Sequence, residues 1–224
     1  MTRPTVSAVL FDLDGTLIDT APEFIHIGLQ LRAEAGLPPI DAKTIWHSVS
    51  NGAIGMVETA LEMPTYDPAF EQWRQRFLTL YEAGLGDLSH PYPGLPELVT
   101  GLHKAGVTWG VVTNKLSRFA LPLMNKMPFD PAADAVVTPD HVHQPKPDPE
   151  SILLACEQLS CDPAETLFIG DHLRDIEAGR GAGCYTIGAA YGYLAPGEAA
   201  SSWQADAVAE NSLELAEMIS GMVS

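Results

Sequence analysis

Asp12-Leu13-Asp14-Gly15-Thr16 places two carboxylates two residues apart at the end of an apolar run. In extended chain alternate side chains share a face, so Asp12 and Asp14 point the same way, and Gly15 permits the chain to turn away sharply. Carboxylates so placed repel unless a cation lies between them. An Asp-Gly turn is also a common local structure, so the pair gains meaning only from company. Val111-Val112-Thr113-Asn114 ends a second apolar run in a hydroxyl and an amide. Lys146 stands in Gln-Pro-Lys-Pro-Asp-Pro, where prolines stiffen the chain and keep it out of helix until after Asp148. Thr166-Leu-Phe-Ile-Gly170-Asp171 ends a further run in a carboxylate, followed by Asp175 and the glycines 179, 181 and 183.

Each of these has a bland reading: a helix cap for Thr113, a solvated loop cation for Lys146, a helix-start acid for Asp171. Their common position at the carboxyl ends of strands is what argues for a site, because open parallel sheets bind their ligands there.

The elements that must position them are legible as apolar runs bounded by turn residues: Ser7 to Phe11, Val107 to Val112, Ala135 to Val137, Thr166 to Ile169 and Cys184 to Ile187. Segments of helical period separate the later ones, among them Ser117 to Met127 and Asp148 to Leu159. Alternation of this kind predicts an α/β fold, a Rossmann-like parallel sheet with helices on both faces. Residues 20–84 break the rhythm. Thr20-Ala-Pro-Glu23 has the form of a capping box, Phe24, Ile27 and Leu31 make one apolar stripe, and Gly36 with Pro38 stops the helix. A second helix is expected from Asp41 to about Val49, a third from the Ser50-Asn51-Gly52 turn to Leu61, and a fourth after Pro68. In that fourth helix Phe70, Trp73, Phe77 and Tyr81 are expected as core, not as a ligand cage. The expected division is a core of residues 1–16 and 90–224 and an inserted helical cap of residues 17–89.

Twelve basic residues against 29 acidic ones give a formal charge of -17. Such a surface disfavours nucleic acid and anionic lipid, which need neutralising Lys and Arg. It repels a phosphate ester too, so a phosphate site needs local cations. No stretch reaches the roughly 18 apolar residues of a membrane span, and Cys156, Cys161 and Cys184 form no CxxC pair. A reduced, cytoplasmic setting is expected, with no membrane partner and the chain a monomer or a homodimer.

The four segments resemble, in order, the four motifs of the haloacid dehalogenase superfamily, and the insertion resembles its helical cap of the C1 type. FDLDGTLIDT and GDHLRDIEAGRGAG carry the resemblance most specifically, and it spans essentially the whole chain. Within the superfamily the chain looks like the phosphoglycolate phosphatase group. TAPEFI, VVTNK, PDHV, KPDPE and AYGYLAP look closest to the bacterial N-acetylmuramic acid 6-phosphate phosphatases of cell-wall recycling. His172 departs from the Asp, Ser or Thr that such proteins often carry at that place.

The resemblance implies a Mg²⁺-dependent phosphatase acting on a small phosphate ester. Asp12 would be the nucleophile, Asp14 the general acid and base, and Thr113 and Lys146 the groups that hold the phosphoryl oxygens and balance charge. Asp12, the backbone carbonyl of Asp14 and Asp171 would be the metal ligands, with Asp175 behind them. Asn114, Arg118, His47 and Asn51 are candidates for substrate binding: His47 and Asn51 flank a turn between cap helices, and Arg118 can pair with a carboxylate. A sugar-phosphate mutase shares all four motifs. A phospho-receiver module also uses an Asp, a Thr and a Lys, but the long insertion argues against it.

Overall fold

The computed structural model describes residues 6–223. Six parallel strands form one sheet, β1 (Ala8–Phe11), β4 (Thr108–Val112), β5 (Ala135–Val137), β6 (Thr166–Gly170), β7 (Tyr185–Ala189) and β8 (Ala207–Ala209), in the order β5-β4-β1-β6-β7-β8. Every residue of β1 is buried, as expected for a central strand covered on both faces. Its alternation is plain in the packing. Val9 and Phe11 join the apolar cluster under α5 (Leu95–Lys104) and α9 (Ser212–Val223), whereas Leu10 joins the one under α7 (Glu150–Leu159) and α8 (Leu173–Ala182).

Strand register decides where the chemistry lies. Phe11 stands level with Val111 on one side and Ile169 on the other. The residues that follow these three strands, Asp12, Thr113 and Asp171, therefore emerge side by side, with β1 at the point where the strand order reverses. The structure has α6 (Ser117–Lys126) as expected from periodicity, and it adds β8, a three-residue edge strand too short to show a period.

Four helices, α1 (Ala21–Glu34), α2 (Ala42–Trp46), α3 (Gly52–Leu61) and α4 (Phe70–Gly84), make up the insertion, with α1 packed against the other three. A two-stranded antiparallel ribbon, β2 (Ile18–Asp19) with β3 (His90–Pro91), ties the two ends of the insertion together. Its two strands adjoin the expected boundaries of the insertion, at residues 17 and 89. Phe24, Ile27 and Leu31 are buried as the stripe predicts, and so are Phe70, Phe77 and Tyr81. Burying each such side chain is worth roughly 1.5–3 kcal/mol, enough to make propensity a minor consideration in these helices.

The second cap helix is shorter than its pattern suggests: it ends at Trp46, and Val49–Asn51 forms a separate 3-10 turn. The Thr20 capping box is absent. The Thr20 hydroxyl donates to Asp14 instead, at 2.7 Å, and Glu23 accepts from the Leu88 N–H and the Ser89 hydroxyl. The helix start is capped by tertiary contact, since the Tyr193 hydroxyl accepts from the Thr20 and Ala21 N–H groups at 2.6 and 2.9 Å. Among the described residues no helix is long and apolar enough to cross a membrane. Cys156 and Cys184 are buried, Cys161 is half-buried, and all three are free thiols.

Candidate active site

Asp12 leaves β1 with its N–H donating to Ile169 O at 2.8 Å, so the sheet ladder itself fixes the root of the side chain. Lys146 reaches it from the proline-bounded loop. Its ammonium donates to Asp12 Oδ1 and to the Val112 carbonyl, both at 2.8 Å, and lies 2.7 Å from Asp175 Oδ1. Asn114 steadies that loop by donating to the Lys146 carbonyl at 2.8 Å. Thr113 is buried beside it and its hydroxyl accepts from the Lys115 N–H.

Asp171 is buried, with the Tyr193 N–H donating to Oδ2 at 2.8 Å and the Thr16 hydroxyl to Oδ1 at 3.3 Å. Gly15 is required by this closeness: its φ is +84°, and a Cβ there would lie 2.1 Å from Asp171 Oδ2. His172 caps α8, accepting from the Arg174 N–H through Nδ1 while Asp175 accepts from the His172 N–H. The imidazole thus does the helix-capping work of the shorter polar residues that often stand there. Burial, and then the nearby Arg174, lower the His172 pKa, which favours the neutral ring whose Nδ1 can accept.

Carboxylate oxygens of Asp12, Asp171 and Asp175 lie within 4.8 Å of one another. Burial raises the Asp12 pKa to about 6; Lys146 works against this, and Asp175 and Asp14 add to it. Asp171 is pushed well above the usual carboxylate range, by burial and then by Asp12 and Asp175. Burial alone would lower the Lys146 pKa, but Asp12 and Asp175 hold it above its ordinary value. Three converging acids with a single lysine among them carry excess negative charge. An all-oxygen donor set of this kind suits a hard divalent ion such as Mg²⁺, so the residues present fit the metal that the motifs imply.

Asp14 lines the same cavity. Its Oδ1 accepts from the Lys115 ammonium at 2.8 Å and from Thr20. Lys115 in turn lies over the rings of Phe24 and Tyr81, at 5.3 and 4.8 Å from their centroids. The cavity holds about 410 Å³, and its lining includes Arg74, Lys115, Arg118, Lys146 and Arg174. Five of the chain's twelve Lys and Arg thus face four carboxylates in one place, in a protein of charge -17. That local excess is what an anionic ester needs in order to enter.

Of the residues expected from sequence, Asp12, Asp14, Thr113, Asn114, Arg118, Lys146, Asp171, Asp175 and Asn51 all line this cavity. His47 does not line it: its ring packs edge-on against Trp46, 5.1 Å away. It follows the last residue of α2, half-buried, with its Nδ1 enclosed. Phe77 and Tyr81 are buried as expected but also wall the cavity, so a helix face read as pure core serves the site as well. The sequence places Lys115 at the carboxyl edge of the sheet without giving it a role, and it gives no site signal for Thr20, Thr16, Tyr193, Arg74 or Arg174. Lys115, Thr16, Tyr193 and Arg174 meet partners more than a hundred residues away, which local spacing does not reveal.

The haloacid dehalogenase-like hydrolase family model matches residues 9–189. An N-acetylmuramic acid 6-phosphate phosphatase of Pseudomonas aeruginosa is 48% identical over 98% of this chain and 97% of its own length. A phosphoglycolate phosphatase of Xylella fastidiosa is 34% identical over 90% of this chain and 88% of its own length. Among solved structures, a predicted phosphoglycolate phosphatase from Haemophilus somnus superposes with a TM-score of 0.82 at 24% identity, over 98% of this chain and 99% of that one, and supports the fold.

Proposed function

The chain belongs to the haloacid dehalogenase-like hydrolases, as a phosphatase, and from that premise we propose that it hydrolyses a small phosphate monoester through a phosphorylated Asp12, with N-acetylmuramic acid 6-phosphate as the substrate. The observation that carries the chemistry is the set of distances around Asp12: a strand-end carboxylate tied to Lys146 at 2.8 Å, beside Asp171 and Asp175, opening on a cation-lined cavity. The relative of 48% identity carries the substrate.

Phosphate monoesters are so inert that the barrier must fall by up to roughly 20 kcal/mol or more. Asp12 attacks phosphorus, forming a bond to its carboxylate oxygen as the bond to the sugar oxygen breaks. Lys146 offsets negative charge as the phosphate dianion nears Asp12. Asp14 gives its proton to the departing alkoxide. It then takes a proton from the water that attacks phosphorus, which frees inorganic phosphate and restores the Asp12 carboxylate. Thr113 and neighbouring N–H groups hold the phosphoryl oxygens in line. Asp12, Asp171 and the Asp14 carbonyl would hold Mg²⁺, which when bound would neutralise charge on the phosphoryl group; Asp175 keeps Lys146 aimed. The cap helices exclude water and meet the leaving group. There Arg118 pairs with the lactyl carboxylate and Asn51 is a hydrogen-bonding partner for the sugar.

A phosphate-release panel with Mg²⁺, containing N-acetylmuramic acid 6-phosphate, 2-phosphoglycolate and hexose 6-phosphates, tests this. The highest kcat/KM is expected on the first. A preference for 2-phosphoglycolate would replace the substrate and keep the chemistry. A requirement for a sugar bisphosphate, with isomer formed and no net phosphate, would make the protein a mutase.

A further inference from the structure

Asp14 is held in a manner that the two-step scheme does not require. Both of its donors, Lys115 Nζ at 2.8 Å and the Thr20 hydroxyl at 2.7 Å, bind the same oxygen, Oδ1. Among the described residues no donor binds Oδ2. Two short bonds to one oxygen fix the plane of the carboxylate and leave the other oxygen to exchange a proton. Lys115 is confined, for its side chain is only 7% exposed and its ammonium rests against two aromatic rings. Those rings, Phe24 on α1 and Tyr81 on α4, belong to the cap, and Thr20 immediately precedes α1.

We propose that Lys115 is a positioning residue for proton transfer at Asp14, and that the cap helices set the acid's geometry through it. The inference rests on the reading of Asp14 as acid and base given above. A cation set against two aromatic rings is held by the ring quadrupoles as well as by its carboxylate partner, so the same two helices that wall the leaving-group side of the cavity also aim the proton donor. Thr20 assists from the start of α1, which accounts for a hydroxyl that forgoes the helix cap.

Leaving groups separate this role from a merely structural one. An alkyl phosphate needs a proton on its departing oxygen, whereas p-nitrophenyl phosphate releases a stable phenolate and needs little help. The quantity to measure is kcat/KM, which reports events up to leaving-group departure, for the best alkyl ester of the panel and for p-nitrophenyl phosphate. Taking both on one preparation cancels any difference in the fraction folded. Lys115→Met is expected to lose about 10²-fold on the alkyl ester, the scale of a small misplacement of a reacting group. Its loss on the nitrophenyl ester should be at least about tenfold smaller and reflect only the missing charge on the cavity wall, because the general-acid contribution is not needed there. Thr20→Val should move the ratio the same way by less. Asp14→Asn is the control, with a selective loss of about 10²–10⁴-fold on the alkyl ester.

Equal losses on both esters for Lys115→Met, or no loss on either, would overturn the positioning role. If Asp14→Asn is selective and Lys115→Met is not, the inference alone fails. If Asp14→Asn is unselective, the reading of Asp14 falls and takes the inference with it.

Discussion

The site contains two lysine–aspartate pairs, Lys146–Asp12 and Lys115–Asp14, each 2.8 Å long and each reaching across more than a hundred residues of sequence. Lys146 is held by the core: by the Val112 carbonyl at the end of β4 and by Asp175 on α8. Its side chain is 1% exposed and that of Asp12 is 14%. Lys115 is held by side chains of the cap, and a quarter of the Asp14 side chain is exposed. The proposed nucleophile is therefore anchored through the end of β4 and α8, whereas the proposed acid and base depends on how the cap helices sit. The difference suits the two tasks. An attacking oxygen needs one fixed line of approach, and a proton carrier must serve first a leaving group and then a water.

The most severe way to break the first pair is Asp12→Asn. The amide has the same shape and almost no nucleophilicity, so phosphate release should fall by about 10⁴-fold or more, with the circular dichroism spectrum unchanged. Retention of more than about a hundredth of the wild-type rate would remove Asp12 as nucleophile.

Next in size is the loss of Lys146. Lys146→Met leaves Asp12, Asp171 and Asp175 facing one another without their cation, and Mg²⁺-free protein should lose about 3–5 kcal/mol by urea unfolding, the cost of stranding a buried charge. Lys115→Met should cost clearly less, because water reaches Asp14. Equal costs would mean that the two pairs are buried alike.

Arg118→Ala is expected to raise KM about tenfold for the carboxylate-bearing ester, a charge-assisted bond's worth, and to leave a neutral sugar phosphate unaffected. An equal rise for both would move Arg118 from the leaving group to the phosphate.

The smallest effect is one of pH. The Asp12 carboxyl, raised to about 6 chiefly by burial, binds its proton more tightly folded than unfolded. Metal-free protein should therefore lose stability as pH rises from the ordinary carboxylate range through about 6. A bound divalent ion favours the ionised form and restores it. The gain in Tm on adding Mg²⁺ should be a few degrees larger at about pH 7.5 than at about pH 5, and Asp12→Asn should shrink that difference. A Tm gain independent of pH would place the ion elsewhere.

Much of the core was readable from local pattern. A buried parallel strand shows as an apolar run with a turn at its end, and five of the six strands of the sheet announced themselves in that way. Catalytic groups at such ends are equally visible, because the residue after a strand is also the residue at the rim of the sheet. Asp12, Thr113 and Asp171 are adjacent in space for that reason alone. The cap was harder. Helical spacing located its four helices and most of their buried faces, yet it placed His47 on the site and kept Phe77 and Tyr81 out of it. Periodicity says which face of a helix is apolar. It does not say whether that face meets another helix or the wall of a cavity.

Thr20 marks the boundary between the two kinds of information. Its sequence neighbourhood specifies a helix start, and a helix starts there. Where its hydroxyl goes was decided by Asp14 and by Tyr193, a residue far along the chain that takes over the capping. The sequence by itself determined the α/β core, the inserted helices and which carboxylates stand at the strand ends, because each follows from short-range spacing. Only the tertiary structure decided which cation serves which carboxylate, since ion pairs, aromatic contacts and burial depend on distances that chain separation does not encode.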